Sequence, residues 1–476
     1  MKFRWIAVIV LLLASFMDLL DTTIVNVALP SIQKDLDATS SQLEWIVSGY
    51  ILTFAVVLIT GGRLGDRFGR KTIFNIGVVG FTLASIACGF AQTADGLVLS
   101  RIVQGAFSAL MIPQVLSIIQ VLFKPKERAA VFGAVGAISG MAAVAGPLIG
   151  GALVSADAFG LGWRSIFVIN VPVGILLLIT SIIFVPNSRS EKRVRLDLFG
   201  VILISSALFL IVFALIEGRE VDWPIWIWLM IGAGPILISL FVWIQIRQEK
   251  TGLSPLIPPS LFKSRGYSAG AITSFAASAS IGAFFLILAL YLQIGLGFSA
   301  MDAGLATLPF SLGALVGSAL AVPLVARVGK FLIAAGSIFQ LAGYTWVTQV
   351  VLSAGDGLTG ADLVGPMAVA GVGLTLMLVP LNDVALAETN VENAGAASGV
   401  LSTFQQVGSA VGVAVIGVVF FGAVGTNFSP SNLRDAFEAA IWVSLVAVVL
   451  TGLFSFMLPG VAQVARHKID SENPVE

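Results

Sequence analysis

Two carboxylates, Asp18 and Asp21, stand three residues apart in Ser15–Pro30 (SFMDLLDTTIVNVALP), inside an apolar run that begins near Trp5. An ionised side chain in a hydrocarbon layer costs roughly 2.5–3.5 kcal/mol on insertion scales. Two in one helix need a reason, and the chemistry available is protonation, ion passage or recognition of a cationic group. On a helix the two lie about one turn apart and about 60° round the axis, so both can face one cavity. Two close carboxylates also titrate as a coupled pair.

A second ionisable side chain in an apolar run is Arg101. It falls about four residues into its span, roughly 6 Å, while Asp21 lies about eight residues before the same side of the membrane, roughly 12 Å. An arginine side chain covers that difference if the two helices are neighbours. A guanidinium favours the ionised carboxylate and burial disfavours it. A site where these effects nearly balance, and where access alternates, can load and release a proton. Asp21 is the expected proton carrier. Asp18 either shares that proton or recognises a cationic substrate. The plainer alternatives are a static ion pair that fixes helix packing and, for Asp18, a carboxylate hydrogen-bonded to a neighbouring Ser or Thr.

Membrane spans must hold these residues. The chain has 476 residues, 57% hydrophobic and 11% charged, against about 25% charged in soluble domains. Apolar runs separated by short polar loops are the signature of membrane-spanning helices, and they leave no room for a soluble catalytic domain. Basic and acidic residues balance at 26 each, which gives no footing for nucleic acid. The single cysteine, Cys88, excludes an internal disulfide. No Cys/His cluster suggests a metal, the one histidine being His467 in the polar tail, and no Gly-x-x-x-x-Gly-Lys-Ser/Thr loop suggests ATP as the energy source. The run after MKFRW is too long for a signal peptide and lacks a small-residue cleavage site, so it reads as a retained first span.

Fourteen spans are predicted, at 5–29, 43–62, 73–92, 97–122, 131–154, 165–185, 198–217, 225–246, 268–292, 303–325, 331–352, 362–387, 396–424 and 437–458. With both termini in the cytoplasm, 21 Lys and Arg fall in inner segments, 4 (Lys34, Arg164, Arg219 and Arg434) fall outside, and Arg101 lies within a span. That asymmetry supports an even number of spans with both ends inside. The loop Gly61–Lys71 (GGRLGDRFGRK) has an echo in Val322–Lys330 (VPLVARVGK). The echo suggests a parallel repeat that pairs spans 1–6 with spans 9–14 and leaves spans 7 and 8 as an insertion.

Four further features carry a family resemblance. G62-R-L-G-D-R-F-G-R-K71 resembles the loop signature of the major facilitator superfamily; its distinguishing residues are Gly62, Asp66, Arg67, Gly69 and Arg70. D21-T-T-I-V-N-V-A-L-P30 resembles the opening signature of the fourteen-helix drug:proton antiporters, the EmrB/QacA type. R101-I-V-Q-G105 is similar to the superfamily's Arg-x-x-Gln-Gly motif. G136-A-I-S-G-M-A-A-V-A-G-P-L-I-G-G151 is similar to the antiporter motif, through Gly140, Gly146, Pro147, Gly150 and Gly151. The stretch W163-R-S-I-F-V-I-N-V-P-V-G174 adds another family-like segment.

The resemblance implies an all-α polytopic membrane protein of the major facilitator fold. Two six-helix bundles at 1–186 and 268–459 would flank an inserted helix pair with its basic loop and linker at 187–267, followed by a tail at 460–476. It further implies a multi-pass protein of the inner or plasma membrane, and not an enzyme. Such a protein exports small amphipathic or cationic compounds, as in multidrug efflux and antibiotic resistance, by alternating access. A proton gradient supplies the energy and no cofactor is needed; the alternative is a proton-coupled importer of a nutrient or siderophore. The expected partners are a small-molecule substrate, protons and the bilayer; no motif identifies a periplasmic adaptor. Polar candidates for the substrate cavity are Asp18, Tyr50, Gln114, Tyr344 and Gln405. The C-terminal half has Ala326 where the first has Asp66, and Asp383 is its acid near a span end.

The orientation is testable by labelling. Single cysteines placed at Ser188 and at Gly160, in a Cys88→Ser background, should differ in intact cells: an impermeant maleimide should label position 160 and not position 188.

Overall fold

The computed structural model describes residues 4–123, 125–157, 160–189, 197–253, 255–386, 394–425 and 429–460. The described residues form helices, turns and connecting segments, and no strand is found among them. The helices are α1 (Arg4–Leu36), α2 (Ser40–Phe68), α3 (Arg70–Gly89), α4 (Ala94–Leu122) and α5 (Pro125–Ala156). They continue with α6 (Ser165–Val168), α7 (Asn170–Phe184), α8 (Leu198–Gly218), α9 (Ile225–Lys250) and α10 (Arg265–Leu290). The last five are α11 (Ala300–Val328), α12 (Lys330–Ala354), α13 (Val364–Leu386), α14 (Ala394–Val424) and α15 (Pro430–Ser455). By their described residues, 13 segments are long and apolar enough to cross a bilayer. The 32-residue α5, of which Ala145–Ala156 enters that comparison, occupies the position of the remaining predicted span.

The predicted sixth span is divided. α6 stops at Val168 and α7 starts at Asn170. Pro172 explains the break: it lacks an N–H, and its ring collides with the carbonyl four residues back, at Val168. The lead into α6 is tied to the end of α1. Asp35 accepts from Trp163 Nε1 at 2.9 Å and from Arg164 Nη1 at 2.5 Å. Asn170 is therefore fixed at a helix start beside α1.

Two compact units result, Met1–Leu256 with Leu292–Leu305, and Ile257–Tyr291 with Ala306–Glu476. Within the first, α1 packs on α5, α2 on α4, and α3 on α4 and α7. Within the second, α10 packs on α14, α12 on α13, and α12 on α15. The repeated loops also match in detail. α2 and α3 are joined by Gly69 alone, at φ 105°, and α11 and α12 by Gly329 alone, at φ 55°. Both angles lie where a Cβ is strained, which accounts for the glycine. Lys71 donates to Ile182 O near the end of α7, and Lys330 donates to Phe456 O and Leu458 O after α15. In each unit a lysine just after the glycine satisfies orphan carbonyls at another helix end.

The pair α8–α9 belongs to the first unit. Asp197 caps α8 through Gly200 N and accepts from Gln245 of α9 at 2.8 Å. α8 docks on α2 through a charged cluster. Arg219 donates to Glu44 at 3.2 Å and to Glu220 at 3.2 Å, and Trp45 Nε1 donates to Glu217 at 2.9 Å. The linker is held at Arg63, which donates to Pro255 O and Leu256 O. The free face of α9 is apolar, with Trp228, Leu229, Ile236 and Trp243 exposed. That face suits hydrocarbon, not water.

Glu44 is wholly buried, and its Oε2 has no hydrogen-bond partner. Arg219→Ala should therefore leave an uncompensated buried charge and destabilise the protein by about 3–5 kcal/mol. Thermal unfolding in detergent should show the loss, with partial recovery in Glu44→Gln/Arg219→Ala.

Candidate functional site: a buried acid–arginine centre

A cluster of buried polar side chains in the first unit lies where α1, α2, α3, α4 and α7 meet. Asp21 is 0% exposed and Arg101 1%. Arg101 Nη1 lies 2.5 Å from Asp21 Oδ2, a charge-assisted pair inside the bundle. The other carboxylate oxygen, Oδ1, accepts from Gln104 Nε2 at 2.8 Å and from Asn170 Nδ2 at 2.7 Å. Both amides also reach Ser85 Oγ on α3, at 2.8 and 3.3 Å. Arg101 is held in turn by Ile46 O at 3.1 Å and by Gln104 Oε1 at 2.7 Å. Its guanidinium stands 4.2 Å from the centre of the Tyr50 ring, a cation–π distance.

Asp18, one turn along α1, has separate partners. Its Oδ1 accepts from the Tyr50 hydroxyl at 2.5 Å and from the Ser108 hydroxyl. Arg101, Gln104 and Ser108 recur at three- and four-residue spacing, so one face of α4 serves both acids. Glycine permits the approach: a Cβ at Gly105 would lie 2.4 Å from Tyr50 O. Gly146 and Gly150 do the same for α5 against α1, where a Cβ would meet Thr23 Oγ1 at 2.0 Å and Ile24 Cγ1 at 2.7 Å. With little hydrophobic drive between helices in lipid, such small-residue contacts are what set helices in register.

The sequence matches the Major Facilitator Superfamily over residues 11–413. The chain belongs to that superfamily. It is 43% identical to the "Probable actinorhodin transporter" of Streptomyces coelicolor, over 90% of this chain and 74% of the relative. It is 33% identical to the tetracenomycin C resistance and export protein of Streptomyces glaucescens, over 91% and 78%. It is also 33% identical to the multidrug resistance protein Stp of Mycobacterium tuberculosis, over 88% and 76%. A solved bacterial homologue of the human lysosomal transporter Spinster shares the fold, at 18% identity and a TM-score of 0.65 over 96% of this chain and 97% of that one. The protein is thus a transporter of the major facilitator fold and a multi-pass protein of the cell membrane, not an enzyme.

The superfamily's loop residues lie where α2 meets α3. α2 continues to Phe68, so Gly62, Asp66 and Arg67 are helical and the turn is confined to Gly69. Asp66 sits in the last turn of α2 and pairs with Arg70 at 2.8 Å; Arg70 also reaches Ser117 O on α4 at 3.4 Å. Arg67 stacks on Phe68 with its guanidinium 5.2 Å from the ring centre.

In the antiporter motif, Pro147 and Gly151 lie against Gly304 and Ala300 of α11. Gly140 lies on α5 with surroundings outside the described residues, as do the side chains of Ala326 and Asp383 and all of His467. Gln114 is buried and ties α4 to α2 through Gly61 O at 2.8 Å. In the second unit Tyr344 is buried, stacks on Phe284 at 4.2 Å and accepts from Gln340 at 3.1 Å. Gln405 is partly exposed and donates to Asn382 at 3.2 Å.

Sequence reasoning left four residues of this centre unassigned: Gln104, Asn170 and Ser108, which bond the acids, and Ser85, which accepts from both amides. Gln104 and Asn170 stand inside family-like segments, a usable signal. Ser108 shows only its seven-residue distance from Arg101, and Ser85 shows none.

Because α5 holds α1 through hydrogen-sized side chains, Gly146→Val should give a protein that still inserts but loses transport. Membrane immunoblotting alongside a resistance assay in a pump-deficient host checks both halves of that outcome.

Proposed function

We propose that this chain is a proton-driven exporter that expels small amphipathic or cationic compounds from the cell. The observation that carries the reading is the buried Asp21–Arg101 pair with its amide partners. A charge pair in the hydrocarbon zone is costly to bury and strongly destabilising to break. Such a pair persists most readily where its charge state is used. The relatives support the direction of transport, since they include proteins described by export or by drug resistance. In this reading both termini are cytoplasmic, residues 1–186 and 268–459 form the two transport bundles, and residues 187–267 supply the inserted pair and its connections. Asp21 and Arg101 form the coupling centre. The loop residues Gly62, Asp66, Arg67, Gly69 and Arg70 latch the helices between conformations. Gly146 and Gly150 set the α1–α5 contact that bends as access alternates, Pro147 and Gly151 set the contact with α11, and Gly140 belongs to the same motif. Asp18, Tyr50, Gln114, Tyr344 and Gln405 are the polar set on the substrate path. No cofactor takes part, and the proton gradient supplies the energy.

The test is a susceptibility panel of puromycin, ethidium and tetracycline in a pump-deficient host, with and without a protonophore. Expression should raise resistance to at least one compound, and the protonophore should abolish the gain. Everted vesicles should accumulate that compound under an imposed gradient and lose lumenal protons as they do so. Asp21→Asn should reduce both signals to the empty-vector level. Proton-coupled movement in the opposite direction would instead make the protein an importer.

A further inference from the structure

Between α12 and α15 of the second unit runs a groove with a cavity volume of about 510 Å³. Leu341 and Leu352 of α12 and Trp442, Val446 and Val449 of α15 form its walls. All but Leu341 are exposed, and an exposed apolar wall on a membrane span faces hydrocarbon. Among the described lining residues Glu438 alone carries a charge. It makes no hydrogen bond or ion pair among the described residues, and Gln349 makes none either. The hydroxyls of Thr345 and Thr348 are engaged within α12, on Leu341 O at 2.8 Å and Tyr344 O at 2.9 Å. The groups left to receive a ligand are thus a carboxylate and an amide. Both stand toward one end of the groove. Glu438 is eight residues past Pro430, where α15 begins, and Gln349 is five residues before Ala354, where α12 ends; at 1.5 Å per residue these are roughly 12 and 8 Å. From Glu438 the wall continues along α15 to Leu450, roughly 18 Å, close to one leaflet of a hydrocarbon core about 30 Å thick. Arg434 lies one turn nearer the start of α15 and on the same side of it, with Nη1 beside Gly355 just past the end of α12.

We propose that this groove holds one zwitterionic aminophospholipid of the phosphatidylethanolamine class. Its ammonium sits on Glu438 and Gln349, its phosphate faces Arg434, and one acyl chain follows the apolar wall. The charge pattern selects this occupant. An anionic lipid would meet the carboxylate of Glu438, and a simple lipophilic cation would meet the guanidinium of Arg434. A zwitterion satisfies both. Between zwitterions, a primary ammonium donates to the Glu438 carboxylate and to the Gln349 carbonyl, which are acceptors, whereas a quaternary choline has no N–H to give. A polar end joined to an apolar wall one leaflet long suits a lipid rather than a compact solute. Seated there, the lipid joins α12 to α15 across the groove.

Native mass spectrometry of the full chain, released from detergent with an equimolar mixture of phosphatidylethanolamine, phosphatidylcholine and phosphatidylglycerol of matched chains, tests the assignment. The wild type should retain phosphatidylethanolamine over each competitor by about threefold, the scale of one partly exposed charge contact. Glu438→Gln should bring phosphatidylethanolamine and phosphatidylcholine level. It should leave thermal unfolding in lipid-free detergent unchanged, because Glu438 is exposed and has no protein partner to lose. Val446→Trp, which fills the groove without altering a charge, should lower the retention of phosphatidylethanolamine. Equal retention of the three lipids by the wild type overturns the proposal, as does a preference that survives Glu438→Gln or Val446→Trp. Complete displacement of phosphatidylethanolamine by equimolar dodecylammonium also overturns it and assigns the groove to lipophilic cations.

Discussion

Much of the first unit is arranged around one carboxylate paired with a guanidinium inside a helix bundle. Water satisfies an ionised aspartate at a surface; in the bundle the protein must supply each donor itself. For Asp21 those donors come from α4 and α7, and each imposes a demand on the chain. Gln104 must sit one turn from Arg101, so that guanidinium and amide reach opposite oxygens. Asn170 must sit at a helix start, and Pro172 makes one there by ending α6 two residues earlier. Trp163 and Arg164 then fix that start against Asp35 on α1. Moving any of these by one residue would turn the donor to another helix face.

Close approach is the second demand, and it is met by the absence of side chains. Gly105 lets α4 meet the backbone of α2 at Tyr50, and Gly146 and Gly150 let α5 meet α1 at Thr23 and Ile24. The second unit uses the same device, with Gly408 and Gly412 of α14 against Phe275 and Ala279 of α10. The units share a packing scheme, but among the described residues the second shows no buried acid–arginine pair. Where the first has Asp21 and Arg101, the second's buried polar contacts include the Tyr344–Gln340 pair and the Ser444–Ser280 contact. Glycine-mediated packing is thus common to both units, while the buried acid–arginine pair is described in the first.

That separation also explains what was legible in the sequence. Span positions followed from hydropathy, because lipid penalises polar residues almost everywhere. The reach from Arg101 to Asp21 followed from depth once the two helices are neighbours, and they are. The division of the sixth span did not, because one proline in an apolar run can equally bend a helix, start it or stop it. Nor did the end of α2, which runs through a segment whose glycines suggest a longer loop. The partners of the acids were hidden for another reason. In a helix that is apolar on every side, periodicity no longer marks which face looks inward, so Ser85 and Ser108 resemble any other small residue in a span. Tyr50 stood out as an aromatic near a cavity, but its bond to Asp18 required knowing how α1 and α2 are rotated.

A buried acid can be asked for two tasks, and the two conflict. A group that anchors a buried guanidinium must remain ionised, since neutralising it leaves the arginine without a counter-charge in a medium where an unpaired ion costs several kcal/mol. A group that ferries protons must lose its charge once per cycle. A lone Asp21 could satisfy both only by moving Arg101 into another anionic environment at the moment of protonation. Asp18 is held differently: its Oδ1 accepts from the hydroxyls of Tyr50 and Ser108, groups that can serve a carboxyl in either charge state.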